Sequence, residues 1–118
     1  MISLLVDESF AFDYLSILKV KELNCSGLQP KENYKKCLSH LQERIPKSEF
    51  DKVLSSEEYE GMITTNGKVF LIIEEARKRE IPAKVVDDLN NERYFLRKKL
   101  QKKFFTGCHQ TETKTIDE

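Results

Sequence analysis

Apolar positions recur at spacings of three and four along most of this chain, and that period predicts helices. From Asp7 to Leu23 the stripe is Phe10, Ala11, Tyr14, Leu15, Ile17, Leu18 and Leu23, with Asp7 placed to cap the first turn. Phe12 and Val20 lie off that stripe, so this helix carries apolar groups on more than one side and is expected at the centre of a bundle or against a partner. Asn24-Cys25-Ser26-Gly27 then has the composition of a helix stop.

A second helix is predicted from Pro30 to Arg44, where Tyr34, Cys37, Leu38, Leu41 and Ile45 share a face and Pro30 sits where its missing N–H costs nothing. Pro46 ends it, and Ser48 to Leu54 reads as a short third helix. Ser55 followed by Glu58 resembles a capping box for the next.

Residues 62–73 carry two patterns at once. Asn66-Gly67 between apolar runs has the form of a β-hairpin, whereas Tyr59, Met62, Ile63, Asn66, Phe70 and Ile73 share a helical face that runs on into Glu74–Glu80. The helical pattern is the longer, and Gly67 opposes it by only about 1 kcal/mol. Ile81-Pro82 marks a boundary, after which Val85, Val86, Leu89, Leu96, Leu100 and Phe104 define a last long helix. The expected fold is therefore all-α: an irregular bundle of four to five helices over 1–106, with a hairpin at 62–73 as the minor alternative. From 107 to 118 the chain loses its apolar period and is expected to form a disordered polar tail.

Size and composition agree with one helical domain. A chain of 118 residues buries roughly two thirds of its unfolded surface. Lys plus Arg and Asp plus Glu number 20 each, so no net charge draws the molecule to an anionic polymer or surface. Residues 1–60 carry net −3 and residues 61–118 net +3, which suits packing of the halves against each other or a second copy. Three cysteines cannot all pair, no apolar run approaches the ~20 residues that span a bilayer, and the acidic start does not resemble a signal peptide. A reducing, cytoplasmic setting is the expectation.

Candidate chemistry is sparse. Arg93, Arg97, Lys98, Lys99, Lys102 and Lys103 form a basic stretch without an acid, with Tyr94 and Phe95 interleaved, and could track phosphates of a nucleic acid. A helix-turn-helix version would break the last helix at Asn90-Asn91. Asn90, Arg93, Tyr94 and Lys98 could instead hold a small anion such as a nucleotide. Arg93 also interrupts an apolar seam, which calls for an outward reach or a buried acid such as Asp87.

Cys37 and His40 share a helix face with the zinc-ligand types, but the only matching pair, Cys108-His109, falls in the expected tail. No nucleophile elbow and no phosphate loop occurs, and the adjacent carboxylates point about 100° apart on a helix, so neither an enzyme nor a cofactor is expected. The large aromatics Phe10, Phe12, Tyr14, Tyr94, Phe95, Phe104 and Phe105 are many for a small bundle to hide. The leading expectation is thus a non-catalytic interaction protein that binds itself or another protein through the first and last helices. Its interface would use Phe10, Phe12, Tyr14, Phe95, Phe104 and Phe105. Nucleic acid and a small anion are the alternatives, and a membrane is not expected.

Overall fold

The computed structural model describes the backbone of residues 2 and 4–117 and the side chains of residues 2 and 4–105. Five helices follow one another: α1 (Glu8–Asn24), α2 (Leu28–Arg44), α3 (Lys47–Leu54), α4 (Glu57–Ala76) and α5 (Ala83–Asp117). No strand occurs among the described residues. The expected tail from 107 falls on residues whose side chains lie outside the described set.

The sequence signals at the helix ends act largely as read, with two shifts of detail. The Asp7 carboxylate accepts from the Phe10 N–H at 3.2 Å and caps α1. At the start of α4 the capping residue is Ser56, whose Oγ accepts from the Tyr59 N–H at 3.1 Å. Ser55, the residue read for that role, instead closes α3, its hydroxyl donating to the Asp51 carbonyl at 2.9 Å. The α1–α2 turn ends at Gly27, whose φ of 103° is a left-handed value that side chains disfavour.

Residues 62–73 are helix throughout, which removes the hairpin. Asn66 does not turn the chain; it is buried and donates to α1. Likewise Asn90-Asn91 does not break α5, so the helix-turn-helix arrangement is absent. Within α5 the backbone leaves the helical range at Phe105, with φ −130° and ψ 19°, where the helix kinks.

α1 lies at the centre, packed on α2, α4 and α5, while α3 bridges α2, α4 and α5. Its buried face agrees with its apolar stripe only in part, at Ala11, Leu15 and Leu18. Phe12, Leu15, Leu18 and Val20 are buried, whereas Phe10, Tyr14 and Leu23 are more than half exposed. The reading failed because polar Ser9, Asp13 and Ser16 share the inward side, so hydrophobicity did not mark it. Phe12 is the hub of the core: its ring lies 5.8 Å from Phe50 and 6.2 Å from both Tyr59 and Phe105. Leu41, Ile45, Val53, Met62 and Leu100 complete the cluster, and Tyr34, Cys37 and Leu38 close its edge as the α2 stripe predicted.

Cross-helix contacts fix the directions. Ser9 meets Gln101, and Asp13 meets Arg93 and Arg97, so α1 and α5 run antiparallel. Glu58 meets Lys103, and a Cβ on Gly61 would stand 3.1 Å from Leu96, so α4 and α5 are antiparallel as well, and closely approached at Gly61. The C-termini of α1 and α4 and the N-terminus of α5 therefore lie at one end of the bundle. There burial thins: Leu18 and Val20 are still buried, but none of Val69–Ile73 is, and Val85 and Val86, read as core positions, are exposed.

Candidate functional site

The most concentrated polar chemistry in the fold is a junction at the middle of α1. Asp13, with a side chain only 5% exposed, accepts at Oδ2 from Arg93 Nη2 at 2.9 Å and from Arg97 Nη1 at 3.0 Å. Its Oδ1 accepts from Asn66 Nδ2 at 2.9 Å. The same amide donates to Ser16 Oγ at 2.7 Å, and the Ser16 hydroxyl donates to the Asp13 carbonyl at 2.6 Å. Helical spacing explains the assembly: 9, 13 and 16 share one face of α1, and 93 and 97 stand one turn apart on α5.

This junction accounts for the polar residues that interrupt apolar seams. Arg93 neither reaches outward nor meets Asp87; it turns inward to Asp13. A buried carboxylate needs such partners, because an uncompensated one costs several kcal/mol. Both carboxylate oxygens are occupied by donors from the fold itself, so the arrangement serves as a three-helix clamp. Beside it, Gln101 accepts from the Ser9 N–H at 2.9 Å and donates to Glu8 at 3.0 Å, tying the start of α1 to α5. Sequence reading missed Asp13, Ser16 and Gln101 as members. The available signal was the run of small polar residues at 9, 13 and 16 within an apolar helix.

The basic stretch holds two inward arginines and four exposed lysines. Arg93 and Arg97 serve Asp13, and the Phe10 ring lies 5.3 Å from the Arg97 guanidinium. Lys98 stands 5.3 Å from the Tyr94 ring, and Lys103 bonds Glu58 at 3.2 Å. Lys99 lines an open groove of about 490 Å³ between α4 and α5, together with Glu57, Glu60, Glu92, Phe95 and Leu96. Lys102 is exposed and has contacts of its own. Arg93 and Arg97 thus turn to Asp13, while Lys98, Lys99, Lys102 and Lys103 stay on the exposed side of α5. Of the small-anion set, Asn90 and Arg93 touch at 3.4 Å and Tyr94 meets Lys98, while Arg93 turns to Asp13, which it shares with Arg97.

The expected interface aromatics separate into two groups. Phe10, Tyr14 and Phe95 are exposed, at 52%, 54% and 62%. Phe12 and Phe105 are buried, so these two are removed from the surface of the folded chain, while Phe104 is half-buried against the core. They were misassigned because aromatic content alone does not say which side of a helix faces inward.

Burial pushes the Cys37 thiol up from its ordinary value, and burial, followed by Tyr34 and Cys37 nearby, pushes Tyr59 up. The Tyr59 hydroxyl is buried without a hydrogen-bond partner, as is Arg93 Nε. Burial raises Glu58, but its own backbone N–H, the Lys103 ammonium and Lys99 outweigh that and hold it below the ordinary carboxylate value. His40 is exposed, and among the described residues no three His, Cys, Asp or Glu side chains gather as a metal site. No helix among them is long and apolar enough to cross a membrane.

Fold and site together define an all-α bundle of five helices, clamped at Asp13 and uncovered at one end. Compared with known protein families, with curated proteins and with solved structures, the chain matches none.

Proposed function

We propose that this chain is a non-catalytic protein-interaction module that docks through apolar surface its own fold leaves uncovered. One observation carries the reading: Val69–Ile73, the longest uninterrupted apolar run in the sequence, contributes nothing to the buried core. Leu71 is 61% and Ile73 52% exposed. Val69, Phe70 and Ile72 of the run are half-buried, and large apolar side chains left uncovered beside them are candidates for an interaction surface. Leu23, Leu28, Val85 and Val86 are also exposed at this end of the bundle.

The polar groups support docking over chemistry. The most buried carboxylate is fully occupied by the fold, and Arg93, Arg97 and Lys103 of the α5 cations meet acids. Nucleic acid and small anions gain no specific observation from this layout.

The test is an apolar dye whose emission rises on leaving water, titrated into the dilute folded chain and into a Leu71→Ser, Ile73→Ser double variant. The variant is expected to lose most of the emission while its melting temperature stays within a few degrees. Equal emission from the two would overturn the reading.

A further inference from the structure

We propose that the groove between α4 and α5 is a docking slot for an arginine side chain presented by a partner protein. This goes beyond the reading of the uncovered end and does not rest on it. The groove follows the seam where Gly61 lets α4 approach Leu96 of α5.

Charge gives the sign of the occupant. Glu57 and Glu60 stand on the α4 wall and Glu92 on the α5 wall, and all three are exposed. None of them closes an ion pair among the described residues. Lys99 is the one cation in the lining, so negative charge is in excess. The helix dipole favours acids in the first turn of α4 and accounts for Glu57 and Glu60. It does not account for Glu92, well inside α5 on the opposite wall.

Spacing gives the shape. From Glu57 to Thr64 the α4 wall runs about 10 Å at 1.5 Å per residue. The carboxylates are strung along it and do not gather as a metal site. They suit an extended organic cation with several donors. Thr65 adds a polar group between the walls: it is 2% exposed, it lines the groove, and its hydroxyl makes no hydrogen bond among the described residues.

Phe95 selects arginine. Phe10, Tyr94 and Phe104 already carry Arg97, Lys98 and Lys103 over their rings. Phe95 is 62% exposed, and no cation of the described residues lies over it. A planar guanidinium stacks on such a ring while its fork of N–H groups meets carboxylates, and its stem covers apolar surface such as Leu96. The fold uses this pairing once already, since Arg97 lies 5.3 Å from the Phe10 ring while bonding Asp13. The groove is open, so a side chain carried on a larger body reaches it.

The test is fluorescence anisotropy of a labelled arginine-containing peptide titrated with the full chain at physiological salt, beside its lysine counterpart and with spermine as competitor. A Glu60→Gln, Glu92→Gln double variant, a Phe95→Leu variant and a Glu32→Gln, Glu43→Gln control on α2 are measured alongside, with melting curves to confirm that each is folded. The arginine peptide is expected to bind more tightly than the lysine peptide. The groove double variant should weaken it roughly tenfold or more, the α2 control should leave it unchanged, and Phe95→Leu should remove the preference for arginine. No binding to the parent chain overturns the proposal, as does an equal loss in the α2 control, which would reduce the effect to general charge. A preference for arginine that survives Phe95→Leu overturns the stacking that selects it. Displacement by spermine at lower concentration than by unlabelled arginine peptide would make this a polyamine site and overturn the protein partner. None of these outcomes alters dye uptake at the open end, so the two readings fail separately.

Discussion

The two ends of the α4–α5 pair contain apolar residues at similar density and treat them in opposite ways. Where Tyr59, Met62, Leu100 and Phe105 stand, α1, α2 and α3 converge, and Phe12 enters among three aromatic rings. Where Val69–Ile73 and Val85–Leu89 stand, the buried cluster has already ended. Hydrophobicity is thus a property of the sequence, but burial is decided by which helices arrive to cover it. At the closed end the polar residues bind across helices, whereas at the open end the rim ion pairs stay within one helix.

The largest expected effect comes from exchanging the same kind of loss between the ends. Phe12→Ala empties the hub of the closed end and should destabilise the fold by about 3–5 kcal/mol. Leu71→Ala, at 61% exposure, should change the stability of the isolated chain by under ~0.5 kcal/mol. Urea midpoints at high dilution measure both. A Leu71 variant as damaged as the Phe12 variant would abolish the distinction between the ends.

Next in size is the clamp. Asp13→Ala leaves Arg93 and Arg97 without their shared acid in a site where both are largely buried. Breaking such a group by removing one partner costs about 3 kcal/mol or more. Chemical denaturation should show that loss, and α1 should lose hydrogen-exchange protection first, since it alone supplies the carboxylate. A variant as stable as the parent would mean that apolar packing holds α1 without the clamp.

Much of this layout was legible in the sequence, for reasons that differ between elements. The α2 stripe was read correctly because its outward residues are uniformly polar, so the period had one meaning. α1 has apolar groups on all sides, and its inward face holds Ser9, Asp13 and Ser16, so periodicity chose the wrong aromatic: Phe10 rather than Phe12. The choice at 62–73 turned on Asn66-Gly67. The helical face through Met62, Asn66, Phe70 and Ile73 decided it, but that Asn66 answers Asp13 depends on a contact 53 positions away in sequence. For the same reason Arg93 was recognised as anomalous while its acid was not identified. Long-range pairing is set by helix docking, which a local pattern does not encode.

The smallest expected effect is electrostatic, and it too sets one end against the other. Lys103 and Glu58 join α5 to the first turn of α4 at 3.2 Å. Because Glu58 is held below its ordinary value of 4.5, the folded state prefers the ionised form. The stabilisation is therefore fully present above about 4.5 and is lost as the pH falls through the lower folded value. A Glu58→Gln variant should melt slightly below the parent at neutral pH, with the difference closing as the pH falls through the lowered folded value. Amide exchange should quicken with acid in the first turn of α4 relative to its last, where the ion pairs of the open end offer no contact between helices to remove. A difference between parent and variant that persisted unchanged at low pH would assign the effect of Glu58 to packing and leave the ends electrostatically alike.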